Sequence, residues 1–236
     1  MERPLVSIVI PTFNHARYLG GAVASALEQD YGSIEVLVVN DGSTDNTAQV
    51  IEPFASRIRY FFKERGGTSS ALNLGIQKSG GAYLCWLSAD DVFRKDKVTV
   101  QVGQMEQAQN LGFVYSGFNV IDAKGRVKHS VHSQYFSDHK TMVQQLLSGC
   151  FINGSTVMMR KSALEKVGGF DESLPQAHDY DMWFRLLRHY PCDFSGQLLV
   201  NYRWHGENLS LRPDYECETR VKDRAKRLFP EYFPEV

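Results

Sequence analysis

Residues 34–47 read IEVLVVNDGSTDNT, a β-branched apolar run that passes directly into acids and turn-forming residues. Its apolar side chains fall on both alternations of a strand, so both faces must be covered, which is the condition of a strand inside a parallel sheet. The same pattern recurs on either side, at Leu5 to Ile10, Ile58 to Phe62 and Tyr83 to Leu87. Between these runs lie mixed segments at about 16–29, 44–56 and 68–79, long enough for right-handed crossover helices. Ser43 or Thr44 is expected to cap the second of these helices through its hydroxyl. Asp30-Tyr31-Gly32 and Gly80-Gly81 close the first and third.

The first half therefore reads as a Rossmann-like α/β sheet, mostly parallel, with helices on both sides. Beyond Asp91 a helix is expected over about 95–110, followed by strands at 113–115 and 118–121 around Ser116-Gly117. The turn Asp122-Ala123-Lys124-Gly125 comes next. A helix at 138–148, a strand at 155–160, a helix at 178–189 and a strand at 197–204 complete a mixed second half. Pro213 to Val236 is charged and is expected to form a surface helix ending at Pro230. No polar low-complexity linker or internal repeat interrupts the chain, so 1–236 reads as a single domain. Its halves are residues of about 1–120 and about 121–210, followed by the charged segment 211–236.

Composition narrows the function classes. With 43% hydrophobic and 22% charged residues the chain is an ordinary globular protein, and 26 basic against 27 acidic residues argue against nucleic acid as a partner. Cys85, Cys150, Cys192 and Cys217 form no CxxC pair, which excludes a zinc ribbon and fits reduced thiols in the cytoplasm. The run from Leu5 to Ile10 is too short for a signal-peptide core or a membrane span, so no transmembrane segment is expected.

In an open parallel sheet, ligands bind beyond the carboxyl ends of the strands. Three strands end there in polar residues: Pro11-Thr12-Phe13-Asn14, Asn40-Asp41-Gly42-Ser43-Thr44-Asp45 and Ser88-Ala89-Asp90-Asp91. Alone, Asp41 reads as a turn or capping residue, and Asp45 as an acid favoured by the helix dipole. The neighbours Asp90 and Asp91 repel each other unless a cation or donors offset them, so a hard-metal site is the better reading there.

Six stretches, VSIVIPTFN (6–14), EVLVVNDGSTDNT (35–47), GGTSSALNLGI (66–76), YLCWLSADD (83–91), GGFDE (168–172) and HDYDMWFRL (178–186), resemble in order the motifs of family 2 glycosyltransferases. The resemblance runs from about residue 5 to 210. It implies a GT-A fold, in which a nucleotide-sugar donor half is fused to an acceptor half. It also implies an inverting glycosyltransferase that uses a nucleotide-diphosphate sugar, a UDP-sugar first among them, and a divalent cation, Mn²⁺ or Mg²⁺. By motif, Pro11, Thr12 and Asn14 flank the nucleotide and Asp41 accepts from the base, while Gly67 and Asn73 border it. Asp90 becomes the metal ligand, with Asp91 behind it. The setting implied is bacterial surface-polysaccharide or glycolipid synthesis, with a glycan or lipid-linked acceptor at the inner membrane face.

The chain departs from the family pattern at three points. Ser88 stands where Asp-x-Asp has its first acid, Leu72 replaces an Arg that meets the donor, and His178 replaces an acid before Asp179. The match places the general base on Asp179. Asp179 and Asp181 lie about 200° apart around a helix, so only one of them can face a cleft. The segment Tyr202 to Ser210 resembles the family's closing stretch, which implies His205 as a metal ligand and Arg203 or Ser210 at the diphosphate. Asn153, Gly154 and Trp204 are the acceptor candidates, and Trp86, Trp183 and Phe184 read as core. Val200 stands three residues before Arg203-Trp204, so the Gln-x-x-Arg-Trp signature of processive synthases is absent. A catalytically degenerate sugar-nucleotide-binding module and a sugar nucleotidyltransferase are the competing readings. The second of these lacks its basic Gly-rich loop after the first strand.

Overall fold

The computed structural model describes residues 3–234, and the side chain of Ser210 lies outside what it describes. The chain begins with β1 (Val6–Thr12), α1 (Ala16–Leu27), β2 (Ile34–Asp41), α2 (Thr47–Ile51), β3 (Arg59–Lys63), α3 (Thr68–Lys78) and β4 (Tyr83–Trp86). All seven residues of β1 are buried. Val6, Ile8 and Ile10 join Leu19, Ala22 and Val23 of α1 in one core, whereas Val9 faces Ala71 and Leu72 of α3 in the other. Period-two alternation between two covered faces is why these strands read as unbroken apolar runs. Helix α3 lies close on β1: a Cβ on Gly75 would sit 2.3 Å from Val9 Cγ1, so only glycine admits this approach.

The second half adds β5 (Val92–Phe93), α4 (Lys97–Gln107), β6 (Phe113–Ile121), β7 (Val127–Val131), α5 (His139–Ser148), β8 (Met158–Arg160), α6 (Lys161–Val167), α7 (His178–Leu187), β9 (Cys192–Arg203) and α8 (Tyr215–Leu228). One nine-stranded sheet of order β3-β2-β1-β4-β8-β6-β9-β5 runs through both halves, with β7 paired to β6. Strands β3, β2, β1 and β4 are parallel. Strand β8 is antiparallel to both β4 and β6, while β6 and β9 pair in parallel. No helix among the described residues is long and apolar enough to cross a membrane.

Several expected elements differ. The helix expected over 44–56 is the short α2 followed by a 3-10 turn at Glu52–Phe54, where Pro53 lacks the N–H an α-helix needs. Neither Ser43 nor Thr44 caps α2, because Ser43 Oγ accepts from Asn14 N and Thr44 N donates to Asn14 Oδ1. The two strands expected around Ser116-Gly117 are one, β6, with register shifts on either side of Gly117. The strand expected at 155–160 begins as a 3-10 turn at Gly154–Thr156, and β9 starts at Cys192 rather than at 197. The short β5, β7 and α6 were not expected. Helix α8 buries Cys217, Val221 and Ala225, spaced four apart, in the same core as Trp183 and Phe184 of α7.

Candidate active site

A cleft of about 680 Å³ opens at the carboxyl ends of β1, β2 and β4, roofed by the start of α7 and the segment 202–209. Pro11 and Thr12 end β1 on its wall, and Asp41 ends β2 beside them. Asp41 Oδ1 accepts from Lys63 Nζ at 2.8 Å and from Gly66 N at 2.9 Å, and Oδ2 accepts from Gly67 N at 2.7 Å. The carboxylate thus shapes the 63–67 loop and does not cap α2. Oδ2 keeps an acceptor position for a further N–H. Gly67 lines the cleft with φ 90°, a left-handed conformation that favours glycine. Arg65, also on the wall, stacks 3.2 Å over the ring of Phe13.

Beyond β4 the neighbouring acids separate. Asp90 faces the cleft, and its Oδ2 lies 3.0 Å from His205 Nε2. One ligand atom each from His15, Asp90 and His205 fall within 4.8 Å of one another. Asp91 points inward, accepting from Ser155 Oγ at 2.6 Å and Arg203 N at 2.9 Å. Burial, with the charge of Asp90 added, pushes the Asp91 carboxyl well above the usual carboxylate range. Asp91 therefore pins β9 and the 154–156 turn against the end of β4. Ser88 lines the cleft, and its N–H donates to Ser155 Oγ.

Across the cleft, Ala177 takes φ 54° and turns the chain into α7. His178 and Asp179 then face the cavity. Asp181 faces the other way, 1% exposed in its side chain, accepting from Arg185 Nε and Arg224 NH1 at 2.7 Å each. Asn153 and Gly154 are on the wall, with Asn153 Oδ1 accepting from Ser155 N. A Cβ on Gly154 would meet the Trp86 ring at 2.3 Å.

Four of the expected site residues stand elsewhere. Asn14 is exposed and uses its amide oxygen to accept from Thr44 N. Asn73 is a staple for the 169–172 loop: its Nδ2 donates to Phe170 O and Glu172 Oε1, and its Oδ1 accepts from Phe170 N. Arg203 is buried and donates from Nε to Asp90 O and from NH1 to Asp122 O and Ala123 O, which turns its guanidinium to the scaffold rather than the cleft. Trp204 is 45% exposed beside Tyr202 and outside the cleft lining, where Tyr202 itself stands. The opposite holds for Trp86, which reads as core but is also cleft wall. Sequence reasoning missed His15 and Arg65. Both lie a few residues beyond strand ends, so extending the strand-end rule by one turn would have found them.

A second hollow of about 360 Å³ lies at the amino-terminal end of β1, between Arg3, Asp30, Tyr31 and Thr99. It is far from the strand ends where the acids gather.

A profile of the family described as Glycosyl transferase family 2 matches residues 7–168. An uncharacterized glycosyltransferase of Rickettsia typhi is 40% identical over 231 residues, covering 95% of this chain and 73% of the relative. The chondroitin synthase of Escherichia coli is 31% identical over 224 residues, which cover 93% of this chain and 32% of that protein. The chain likewise spans only 36% of another rickettsial relative. The structure of Staphylococcus aureus TarS 1-349 in complex with UDP-GlcNAc superposes with TM-score 0.73 at 15% identity, covering 97% of this chain and 71% of that one. The fold is GT-A.

Proposed function

The chain belongs to glycosyltransferase family 2 and is a glycosyltransferase, and from that premise we propose that it moves a sugar from a uridine diphosphate donor to an acceptor hydroxyl, with inversion at the anomeric carbon. One observation carries this reading: Asp41, Asp90 and Asp179, which are distant in sequence, line a single cleft at the strand ends. Pro11, Thr12, Asp41 and Gly67 take the nucleotide, with the free acceptor position on Asp41 Oδ2 receiving an N–H of the base. Asp179 takes the proton of the acceptor hydroxyl as that oxygen attacks. Asn153 and Gly154 form the wall along which the acceptor lies. Residues of about 1–120 act as the donor half and about 121–210 as the acceptor half of one domain.

His15, Asp90 and His205 suit a divalent cation. Two imidazoles and one carboxylate are a donor set that Mn²⁺ tolerates and Mg²⁺ accepts poorly. Such a cation would supply charge neutralisation for the departing diphosphate. Asp91 acts behind this group by holding the backbone of Arg203, two residues before His205. The acceptor is a glycan or a lipid-linked sugar of a bacterial surface polysaccharide or glycolipid, met at the inner membrane face. The test is thermal unfolding with UDP, GDP and dTDP sugars, with and without Mn²⁺, followed by donor turnover. A UDP-sugar at a hundred times its Kd should add about 2.7 kcal/mol of apparent stability. Binding without turnover over a broad acceptor panel would make the chain a binding module, and no binding of any nucleotide sugar would end the reading.

A further inference from the structure

The cleft wall holds buried polar groups that no described residue hydrogen-bonds. His178 is 5% exposed and Trp86 7%. Among the described residues, neither ring nitrogen of His178 has a partner, and neither does Trp86 Nε1. Both side chains line the cleft, with ring centroids 5.4 Å apart and planes tilted by 35°. Phe170 closes the apolar side of His178, edge-on at 6.0 Å. Native proteins seldom leave buried donors and acceptors unpaired, because each costs its full desolvation. Burial also pushes the His178 imidazole below its ordinary range against the charges of Asp179 and Asp181, so the ring is held neutral, with one donor and one acceptor nitrogen.

We propose that His178 and Trp86 together form a specificity-determining pair that hydrogen-bonds a polar substituent of the donor's sugar ring, a hydroxyl or an acetamido group. The inference rests on the nucleotide-sugar reading above and deepens it. An indole N–H only donates, and a neutral imidazole both donates and accepts. A hydroxyl or an acetamido group, each with a donor and an acceptor, matches that set, whereas a phosphate or carboxylate offers acceptors alone. Place along the chain selects the donor sugar over the acceptor. Trp86 ends the strand that leads to Asp90, the acid that would face the diphosphate, and Asp90 lines the same cleft as the pair, so the sugar attached to the diphosphate lies within its reach. Gly154 is required here, since any side chain would displace the Trp86 ring.

The experiment compares the dissociation constants of UDP with those of UDP-glucose and UDP-N-acetylglucosamine, in the presence of Mn²⁺, for the wild-type chain and for His178→Phe, His178→Gln and Trp86→Phe. The dissociation constant of UDP divided by that of the UDP-sugar isolates the contribution of the sugar. His178→Phe should cut that ratio about five- to tenfold, the loss of about one net hydrogen bond, with UDP binding unchanged. His178→Gln, which keeps a donor and an acceptor, should restore most of it. Trp86→Phe removes the indole N–H independently, and decides the matter if His178→Phe does not fold. The sugar for which the ratio falls further identifies the substituent read. An unchanged ratio in His178→Phe and Trp86→Phe overturns the proposal alone. Failure of the wild-type chain to bind UDP or either UDP-sugar overturns it together with the donor reading.

Discussion

Two pairs of carboxylates face each other across the fold, Asp90 with Asp91 at the end of β4 and Asp179 with Asp181 at the start of α7, and each pair is divided in the same way. One acid of each looks into the cleft, and the other is buried as an anchor. Asp91 holds a backbone N–H and a serine hydroxyl, whereas Asp181 holds two guanidinium groups. The first anchor serves neutral donors and is itself pushed toward the protonated form by burial and by Asp90. The difference teaches that position along an element, not residue type, separates a reacting acid from a supporting one. Adjacent residues diverge at a strand end, as residues two apart do on a helix.

The sharpest way to break this comparison is to exchange the roles by substitution. Asp179→Asn keeps the shape of the cleft but removes the proposed base, so turnover should fall about 10²–10⁴-fold with an unchanged unfolding midpoint. Steady-state transfer assays beside thermal unfolding check this, and a variant with wild-type turnover would remove Asp179 from the chemistry. Asp181→Ala should behave in the opposite way. It strips Arg185 and Arg224 of a buried partner and should destabilise the fold by about 3 kcal/mol in denaturant titrations. Arg224 retains Asp171 at 2.9 Å, which keeps the loss below that of a wholly orphaned ion pair.

A smaller effect is expected at the other pair. Asp91→Ala leaves the Arg203 N–H and the Ser155 hydroxyl without their acceptor, and should cost about 2 kcal/mol of stability. Its neighbour Asp90, half-buried in the cleft, should cost little stability when replaced by Ala. That variant should instead lose the part of UDP affinity that Mn²⁺ adds, measured by titration with and without the ion. An Asp90→Ala variant that keeps its Mn²⁺-dependent increment would separate Asp90 from His15 and His205.

How much of this was legible in sequence differs between the same two regions. The strand ends of the first half could be read because period-two burial and acidic turns mark them without knowledge of distant contacts. For the same reason Asp41 and Asp90 could be located at strand ends, although alone Asp41 read as a turn or capping residue and only the family resemblance implied its role at the nucleotide. The opposed directions of Asp179 and Asp181 follow from helical geometry alone. Asn73, Arg203 and Trp204 could not be placed. Their positions depend on partners far along the chain: Asn73 on Phe170, and Arg203 on the carbonyls of Asp90 and Asp122. The β6–β9 pairing was illegible too, since parallel neighbours so distant in sequence leave no local turn signal, and Gly117 breaks the register in between.

The smallest expected effect concerns the residue beside each cleft-facing acid, which is a carboxylate next to Asp90 but an imidazole next to Asp179. Burial lowers the proton affinity of His178 in the fold, while Asp179 and Asp181, the charged groups that face it, only partly offset this. Trp86 and Phe170, the rings packed on it, carry no titrating group. The unfolded chain, with an ordinary histidine near about 6.5, therefore binds a proton more readily than the native one. The contribution of the neutral ring to stability is complete above about pH 6.5 and is lost as the pH falls below that value toward the lowered native pKa. Unfolding midpoints measured from pH 7.5 down to pH 5 should consequently fall more steeply for the wild-type chain than for His178→Phe. The other six histidines are common to both proteins, so their titration cancels in the difference. Parallel curves would mean that His178 is protonated as easily in the fold as outside it. That would remove the neutral imidazole on which the contrast between the two acid stations depends.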